Sequence, residues 1–156
     1  MKKNIILFVL GLTLTQPAMA ETTIPWTKEG CESVKGTWIT AHQATDTDCS
    51  STQCNGMNFC ASTVGINFFN ALIWCKSIGH KLTDFTHLCP GATGQINTPG
   101  ICVNAKGLIS GDSWGWTTSP GSAQGKSILV RFLDARYQQF DRNFSPSNNM
   151  YAICEE

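Results

Sequence analysis

The stretch that decides the fold is residues 67–79, NFFNALIWCKSIG. Asn67 is a favourable N-cap residue, and Gly79 stands where a left-handed backbone conformation ends a helix at little cost. Between them, one stripe of side chains recurs at four-, three- and four-residue steps, at Phe68, Leu72, Cys75 and Gly79. This periodicity predicts an amphipathic helix. The side chains that we assign to the core on this helix include Phe68, Phe69, Trp74 and Ile78.

Downstream of this helix, the sequence predicts a shorter helix and then a series of strands. Thr83 is the candidate cap of the shorter helix, and Phe85 and Leu88 would face inward. Cys89-Pro90-Gly91 would then stop it. Strand patterns follow at residues 113–118, 127–133, 137–142 and 150–154, with turns at 119–122, 134–136 and 143–149. This order predicts an α+β domain with two short helices and a small, twisted antiparallel sheet.

The region before the first helix carries half of the cysteines and many small polar residues. We expect residues 21–66 to be mainly loops held by local disulfides, with one short strand at 36–39. The chain after its leader therefore divides into two parts. Residues 21–63 form a cysteine-rich N-terminal extension, packed on a domain that residues 64–156 form.

The first twenty residues have the pattern of a signal peptide. Lys2 and Lys3 precede an apolar run at residues 5–14, and Ala18-Met19-Ala20 supplies the small residues that signal peptidase accepts. The apolar run is too short for a membrane span, which needs about 20 residues. We therefore expect residues 1–20 to be removed on export, with no membrane span afterwards.

All eight cysteines lie after residue 30, at positions 31, 49, 54, 60, 75, 89, 102 and 154. An even number of cysteines behind an export signal predicts disulfides and a location in the periplasm, at the cell surface or outside the cell. Cys49, Cys54 and Cys60 are spaced by five and six positions, which differs from the two-to-four steps of zinc knuckles. We therefore expect neither a bound metal nor another cofactor.

The charge of the chain gives no sign of a nucleic-acid partner. Without Lys2 and Lys3, nine basic residues stand against eleven acidic ones. The basic residues form no stripe of the kind that tracks a phosphate backbone. We therefore expect no nucleic-acid partner.

Three motifs, in this order, resemble the C-type lectin-like domain superfamily. The helix has the family's A…WC…G…L pattern at residues 71–82, and Trp114-Gly115-Trp116 resembles its W.W strand. The ending Tyr151-Ala152-Ile153-Cys154-Glu155 resembles its last strand. The likeness covers about two thirds of the chain after the leader, and it is greatest to compact bacterial members, such as the C-terminal domains of collagen-like bacterial adhesins.

The resemblance implies that the cysteine of the helix bonds the cysteine of the last strand, which here pairs Cys75 with Cys154. Cys89 and Cys102 flank one loop and form the expected second pair. The remaining four cysteines would pair among themselves in an order that the sequence leaves open, at positions 31, 49, 54 and 60.

The chain departs from the calcium-dependent sugar-binding members of that family. Their Glu-Pro-Asn, Gln-Pro-Asp and Trp-Asn-Asp triplets do not occur. Calcium needs six to eight oxygen ligands, and Asp112 is the single carboxylate in residues 90–125. We therefore expect no calcium site.

A catalytic interpretation has one candidate motif. Gly111-Asp112-Ser113-Trp114-Gly115 matches the G-x-S-x-G pattern, but no histidine follows Ser113, as that motif requires. A turn followed by a strand explains the same residues, and we expect no enzyme.

The resemblance implies a recognition role, and the C-terminal half carries suitable side chains. Polar, charged and aromatic groups of this kind bind glycans and protein surfaces. We name seven of them the predicted ligand set: Arg131, Arg136, Tyr137, Gln138, Asp141, Arg142 and Asn143. Trp114 and Trp116 are assigned to the core instead.

The expected function is an exported, non-catalytic recognition module that binds a glycan or a protein surface without calcium. Two alternatives stay open: a structural or accessory subunit of a cell-surface appendage, which would expose an apolar patch, and a small exported enzyme. The sequence leaves the ligand and the oligomeric state undetermined.

Overall fold

The computed structural model describes residues 23–47, 49, 53–92, 96–144 and 149–156. The predicted signal peptide, residues 1–20, and part of the predicted turn at 143–149 lie outside these ranges. Within them, no helix combines the length and the apolar character needed to cross a bilayer.

The described residues form an α+β structure, as predicted. The helices are α1 (Lys28–Ser33), α2 (Phe68–Ser77) and α3 (Phe85–Leu88), with a 3-10 turn at Val103–Ala105. The strands are β1 (Gly36–Thr40), β2 (Asn58–Ser62), β3 (Lys81–Leu82), β4 (Trp114–Pro120), β5 (Lys126–Arg131), β6 (Arg136–Asp141) and β7 (Met150–Glu155).

The helix that residues 67–79 predict forms as α2. The Asn67 side chain accepts a hydrogen bond from the backbone N–H of Asn70 at 2.8 Å, which caps α2. Gly79 follows the helix with a φ of +82°, in the left-handed region that glycine adopts most easily. A Cβ atom at Gly79 would also lie 2.6 Å from Thr23, so this position needs glycine for two reasons.

The shorter predicted helix forms as α3, but a different residue caps it. Asp84, not Thr83, accepts a hydrogen bond from the backbone of Thr86 and begins α3. Thr83 is fully buried, and its hydroxyl donates to Glu155 at 2.6 Å, so it faces the sheet.

The strands form one mixed sheet with the order β1-β2-β7-β4-β5-β6, and β3 also pairs with β7. The pairing of β4 with β7 is parallel, and the other pairs are antiparallel. The prediction of two helices and a small antiparallel sheet is therefore wrong for the described residues, which contain three helices and seven strands. The last strand lies in the middle of the sheet and joins its two halves.

The N-terminal region contains more regular structure than predicted. It contributes α1 and β2 in addition to the expected strand, and β2 pairs with β7 inside the sheet. In β2, four consecutive residues from Phe59 to Ser62 are buried, so the strand shows no alternation of apolar and polar residues. The sequence therefore lacks the signal by which a half-buried strand is recognised.

Apolar side chains cover both faces of the sheet. Trp114 and Trp116 pack with α2 on one face, and Ile153 and Phe132 pack on the other. Gly115 lies between the two tryptophans, where a Cβ atom would be 2.7 Å from Ile153 and 2.8 Å from Phe132. The alternation of bulky and small residues in β4 therefore fits a strand between two cores.

All eight cysteines lie in the described ranges and form four disulfides, which confirms the prediction of a disulfide-bonded chain. Cys75 of α2 bonds Cys154 of β7, the pair that the resemblance implies. The other bonds are Cys89–Cys102, Cys31–Cys60 and Cys49–Cys54. Such bonds are typical of exported proteins.

Candidate functional site

A groove of about 430 Å³ lies beside α2. Three segments form its walls: the turn between α1 and β1, the loop that follows β2, and one face of the helix. We call it the α2 groove, and its lining residues are Val34, Lys35, Ser62, Thr63, Val64, Ile66, Asn70, Ile73, Trp74 and Ser77. Its size is within the range of sites that hold a small ligand or a few side chains of a partner.

Large apolar side chains are exposed in and beside the groove. Val64 and Ile73 are each 64% exposed, and Phe69, one helical turn before Ile73, is 48% exposed. The prediction that Phe69 belongs to the core is therefore wrong, because its position on α2 turns the ring toward solvent. Single exposed apolar residues are common, but several that adjoin one groove indicate an interaction site.

The loop wall of the groove is held by hydrogen bonds rather than by regular structure. The Ile66 carbonyl accepts from the indole N–H of Trp116 at 2.8 Å, and the Ile66 N–H donates to Met150 at 2.7 Å. The Ser62 hydroxyl donates to the Val64 carbonyl at 2.9 Å. The wall is therefore fixed in place, so that a ligand would meet a preorganised surface.

The groove lining carries one positive charge. Of the described residues that line it, Lys35 alone carries a charge, and none is a carboxylate. Lys35 has a φ of +59°, a conformation that is uncommon for a residue other than glycine. The hydroxyl of Thr63 donates to the Lys35 carbonyl at 3.0 Å, and this bond joins the turn before β1 to the loop that follows β2.

Several members of the predicted ligand set are occupied by contacts within the protein. The Arg131 guanidinium donates from Nε to Asp112 at 2.6 Å and from Nη1 to Asp134 at 3.2 Å. Its hydrogen bond holds the pKa of the Asp112 carboxyl below the usual value. Arg136 forms an ion pair with Asp134, with Nε 3.2 Å from Oδ2, although its geometry is not that of a hydrogen bond.

The aromatic member of that set lies in the core. Tyr137 is 4% exposed, and its ring packs against Phe85 with 4.6 Å between the ring centroids. Gln138, on the next position of β6, is half-buried. The structure therefore does not bring Tyr137 to the surface beside the arginines.

The remaining members lie at the end of β6. Asp141 and Asn143 are exposed, and the Asp141 carboxylate accepts from the Asn143 N–H at 2.8 Å. The guanidinium carbon of Arg142 lies 4.9 Å from the ring centroid of Phe68, a cation–π contact. Phe68 in turn contacts Phe69 at 5.5 Å, so Arg142 adjoins the apolar surface of α2.

The last strand, β7, ends with a buried carboxylate, that of Glu155. Glu155 is 3% exposed, and its Oε2 atom receives hydrogen bonds from the Thr83 hydroxyl and from His87 Nδ1, both at 2.6 Å. Lys81 Nζ lies 3.6 Å from the other carboxylate oxygen. These partners are about 70 positions away in sequence, so no sequence motif indicates the cluster. It ties β3 and α3 to β7.

Within the described ranges, the serine of the G-x-S-x-G motif bonds a backbone carbonyl and no histidine or carboxylate. Ser113 is buried, and its hydroxyl donates to the Ser110 carbonyl at 2.7 Å. The three histidines have other partners: His42 bonds Asp46 and Lys106, His80 bonds Ile24, and His87 bonds Glu155.

One group of side chains in the described ranges has atoms that a metal ion could use. Ligand atoms of His42, Asp46 and Cys49 all lie within 4.8 Å of one another. Cys49 is bonded to Cys54 and therefore offers no thiolate. Hydrogen bonds from the Gln43 N–H and from His42 lower the pKa of the Asp46 carboxyl, which keeps it charged.

Asp84 joins α3 to β4 through its carboxylate. Oδ1 accepts from the N–H and the hydroxyl of Thr86, and Oδ2 accepts from the Ser119 hydroxyl at 2.9 Å. Partial burial raises the pKa of this carboxyl, but the hydrogen bonds from Thr86 and Ser119 together bring it below the usual value. The charged form of Asp84 therefore stabilises the fold.

We expect Asp84→Asn to lower the free energy of unfolding by about 1 kcal/mol at pH 7, because the amide keeps a capping oxygen but loses the charge. The folded-state pKa lies below the unfolded one, so the carboxylate stabilises the fold above about pH 4 and this contribution is lost as the pH falls. Urea unfolding of parent and variant should show a smaller difference in the free energy of unfolding at pH 2.5 than at pH 7. Asp141→Asn, at the exposed end of β6, is the matched control. A difference between parent and Asp84→Asn that stays constant with pH would contradict the assignment.

No family model matches the chain, and a search of curated proteins found no significant match. The resemblance to C-type lectin-like domains therefore depends on the motifs quoted above.

Proposed function

We propose that the chain is an exported, non-catalytic recognition module that binds a protein surface through the α2 groove without calcium. The observation that carries the proposal is the apolar groove itself, with Val64 and Ile73 each 64% exposed at its edges. Exposed apolar side chains around a fixed concave surface are the features by which a protein partner is held.

A protein partner fits the groove better than a glycan does. Sugars need polar groups around a flat ring. The groove has one half-buried tryptophan, Trp74, and some polar lining residues, but its most exposed large side chains, Val64 and Ile73, are aliphatic. The glycan alternative depends on the predicted ligand set, in which Arg131 and Tyr137 already have internal partners. Arg142, Asp141 and Asn143 are the members that a glycan could reach.

The proposed fold is a compact C-type lectin-like domain. Its support is the disulfide between α2 and β7, together with the Trp-Gly-Trp strand that lies beside β7. Export to the periplasm or the cell surface has the support of the four disulfides and of the leader pattern in the sequence.

The second candidate function is an accessory subunit of a cell-surface appendage. The exposed apolar residues Val64, Phe69 and Ile73 favour it, because a subunit interface needs such a patch. Light scattering during gel filtration distinguishes the two candidates. A recognition module elutes as one species over a wide range of concentration, whereas a self-assembling subunit gives larger species.

The groove is tested with Ile73→Glu. A phage-displayed peptide library, panned against the oxidised protein, should yield peptides rich in apolar residues. We expect Ile73→Glu to weaken their binding at least tenfold, because it places a charge on the wall that the apolar side chains cover. The unfolding midpoint should stay nearly unchanged, since Ile73 is 64% exposed.

Leu133→Glu is the matched control, because Leu133 is 53% exposed but lies outside the groove lining. Peptides that bind Ile73→Glu as tightly as the parent would contradict the proposal. A glycan array tests the alternative, in which the protein binds a glycan at the end of β6. Glycan binding that survives Ile73→Glu and is lost in Arg142→Ala would favour the end of β6 as the site.

A further inference from the structure

We propose that Lys35 is the residue of the α2 groove that recognises a carboxylate, so that the partner carries an acidic side chain beside its apolar residues. This role of Lys35 deepens the protein-binding function proposed above and depends on it. Two features of the molecule lead to it: the backbone conformation of Lys35 and the charges of the groove lining.

Lys35 occupies the position at which glycine commonly ends a helix. Helix α1 ends at Ser33 with Val34 as its C-cap, and Lys35 follows with a φ of +59°. Helix α2 ends in the same way, with Ile78 as its C-cap, but the next residue is Gly79, with a φ of +82°. Glycine adopts this left-handed conformation without the steric cost that a Cβ atom brings. A lysine therefore stands where glycine would cost less, which indicates a function for its side chain.

The backbone of Lys35 is held within the protein, but its side chain is not. The Lys35 N–H donates to the Glu32 carbonyl, and its own carbonyl accepts from the Thr63 hydroxyl, both at 3.0 Å. The ammonium group forms no ion pair and no hydrogen bond with any of the described residues. The carboxylate of Glu32, three positions earlier, pairs with Lys28 at 3.8 Å instead. The charge of Lys35 is therefore available to a ligand.

The charge of the groove favours a partner with one negative group. Apart from Lys35, the described residues that line the groove are apolar or neutral and polar. A partner that covers the groove removes water from around the ammonium group, and this costs free energy unless an opposite charge pairs with it. A phosphorylated side chain is usually held by a cluster of arginines, and no arginine lines the groove in the described part of the chain. A single carboxylate is the group that one lysine matches.

The carboxylate belongs to an aspartate or glutamate side chain of the partner and not to its C-terminus. Proteins that capture a terminal carboxylate do so with several backbone N–H groups that point together into the site. In the walls of the α2 groove, the N–H groups of Val34, Lys35 and Ile66 already donate to backbone carbonyls. The Lys35 side chain is therefore the donor that remains, and the partner is a segment in which an acidic residue adjoins apolar ones.

The test uses the phage-selected peptides that bind the α2 groove of the oxidised protein. We expect an aspartate or a glutamate next to their apolar residues. Lys35→Gln should weaken binding of the tightest peptide by about three- to tenfold at low salt. Added salt should weaken binding to the parent more than binding to Lys35→Gln, because it screens the charge pair. Replacing the acid of the peptide with its amide should weaken binding to the parent equally, with no further effect on Lys35→Gln.

Lys35→Gly separates binding from stability. Its urea unfolding midpoint should equal or exceed that of the parent, because glycine adopts a φ of +59° without strain. Its peptide binding should fall as in Lys35→Gln. A lysine that only stabilised the end of α1 by its charge would give a lower midpoint and unchanged binding, which would overturn the role in recognition. Lys76→Gln is the matched control, because Lys76 is exposed on α2 but lies outside the groove lining, and it should leave binding unchanged.

The results distinguish a failure at Lys35 from a failure of the groove. Peptides that Ile73→Glu weakens, but that bind Lys35→Gln as tightly as the parent, would overturn the role of Lys35 and keep the groove as the site. Peptides that bind Ile73→Glu as tightly as the parent would overturn both. An equal loss in Lys76→Gln would mean that overall charge attracts the peptides, which also overturns the role of Lys35. Amidation of the peptide C-terminus should leave binding unchanged, and a loss on amidation would overturn the assignment to a side chain.

Discussion

Replacing both Cys75 and Cys154 with alanine is expected to lower the free energy of unfolding by about 4–5 kcal/mol. The two cysteines are 79 positions apart, so their bond removes more conformational freedom from the unfolded chain than any other disulfide in the structure. Both residues are fully buried between α2 and β7. Domains are stable by only about 5–15 kcal/mol, so the variant should be close to unfolding at 37 °C.

Urea unfolding of the oxidised proteins measures this effect, and a buried bond that closes a shorter loop supplies the control. Cys89 and Cys102 are 13 positions apart and almost fully buried, so their double alanine variant should lose about 3 kcal/mol. The difference between the two variants then reports mainly on loop length. An equal or smaller loss for the Cys75 and Cys154 variant would show that packing alone holds α2 on β7.

The parts of the fold that sequence predicts are those that local signals specify. The helix α2 is one example, because its cap, its periodicity and its terminating glycine all lie within thirteen residues. The cap of α3 shows the limit of this approach, since Thr83 and Asp84 are both good capping residues. Only the burial of Thr83 against Glu155 decides between them.

Sheet pairing is harder to predict because it depends on distant partners. Trp114 of β4 pairs with Met150 of β7 in a parallel register, and Cys60 of β2 pairs with Cys154 on another part of the same strand. No local pattern in the sequence of β7 indicates that this strand lies in the middle of the sheet. Its apolar residues suit an edge strand of a small meander equally well, which is why we expected an antiparallel sheet.

The candidate site is the hardest part to predict from the sequence, because three separate segments form the α2 groove. The sequence shows that Phe69 and Ile73 lie on a helix, but large apolar residues are usually buried, and this favoured the core for Phe69. Internal partners of the predicted ligand set were missed for a related reason. Arg131 is paired with Asp112, a residue 19 positions away that looked isolated in the sequence.

The second large effect is expected at Trp116, which links the core to the groove. It is fully buried, and its indole N–H donates to the Ile66 carbonyl in the groove wall at 2.8 Å. Trp116→Ala should lower the free energy of unfolding by about 3–5 kcal/mol, because it leaves a cavity between α2 and the sheet. This loss is measured by urea unfolding.

Trp116→Phe separates the two roles of this side chain. It keeps most of the ring volume but leaves the Ile66 carbonyl without its donor, so we expect a loss of about 1–3 kcal/mol. We also expect weaker binding of the groove-selected peptides, because the loop wall is then free to move. Trp114→Phe is the control, since it changes the same core cluster without touching the bond to Ile66. If Trp116→Phe and Trp114→Phe bind the peptides equally well, the wall at Ile66 does not depend on the indole, and its order comes from the backbone bond to Met150.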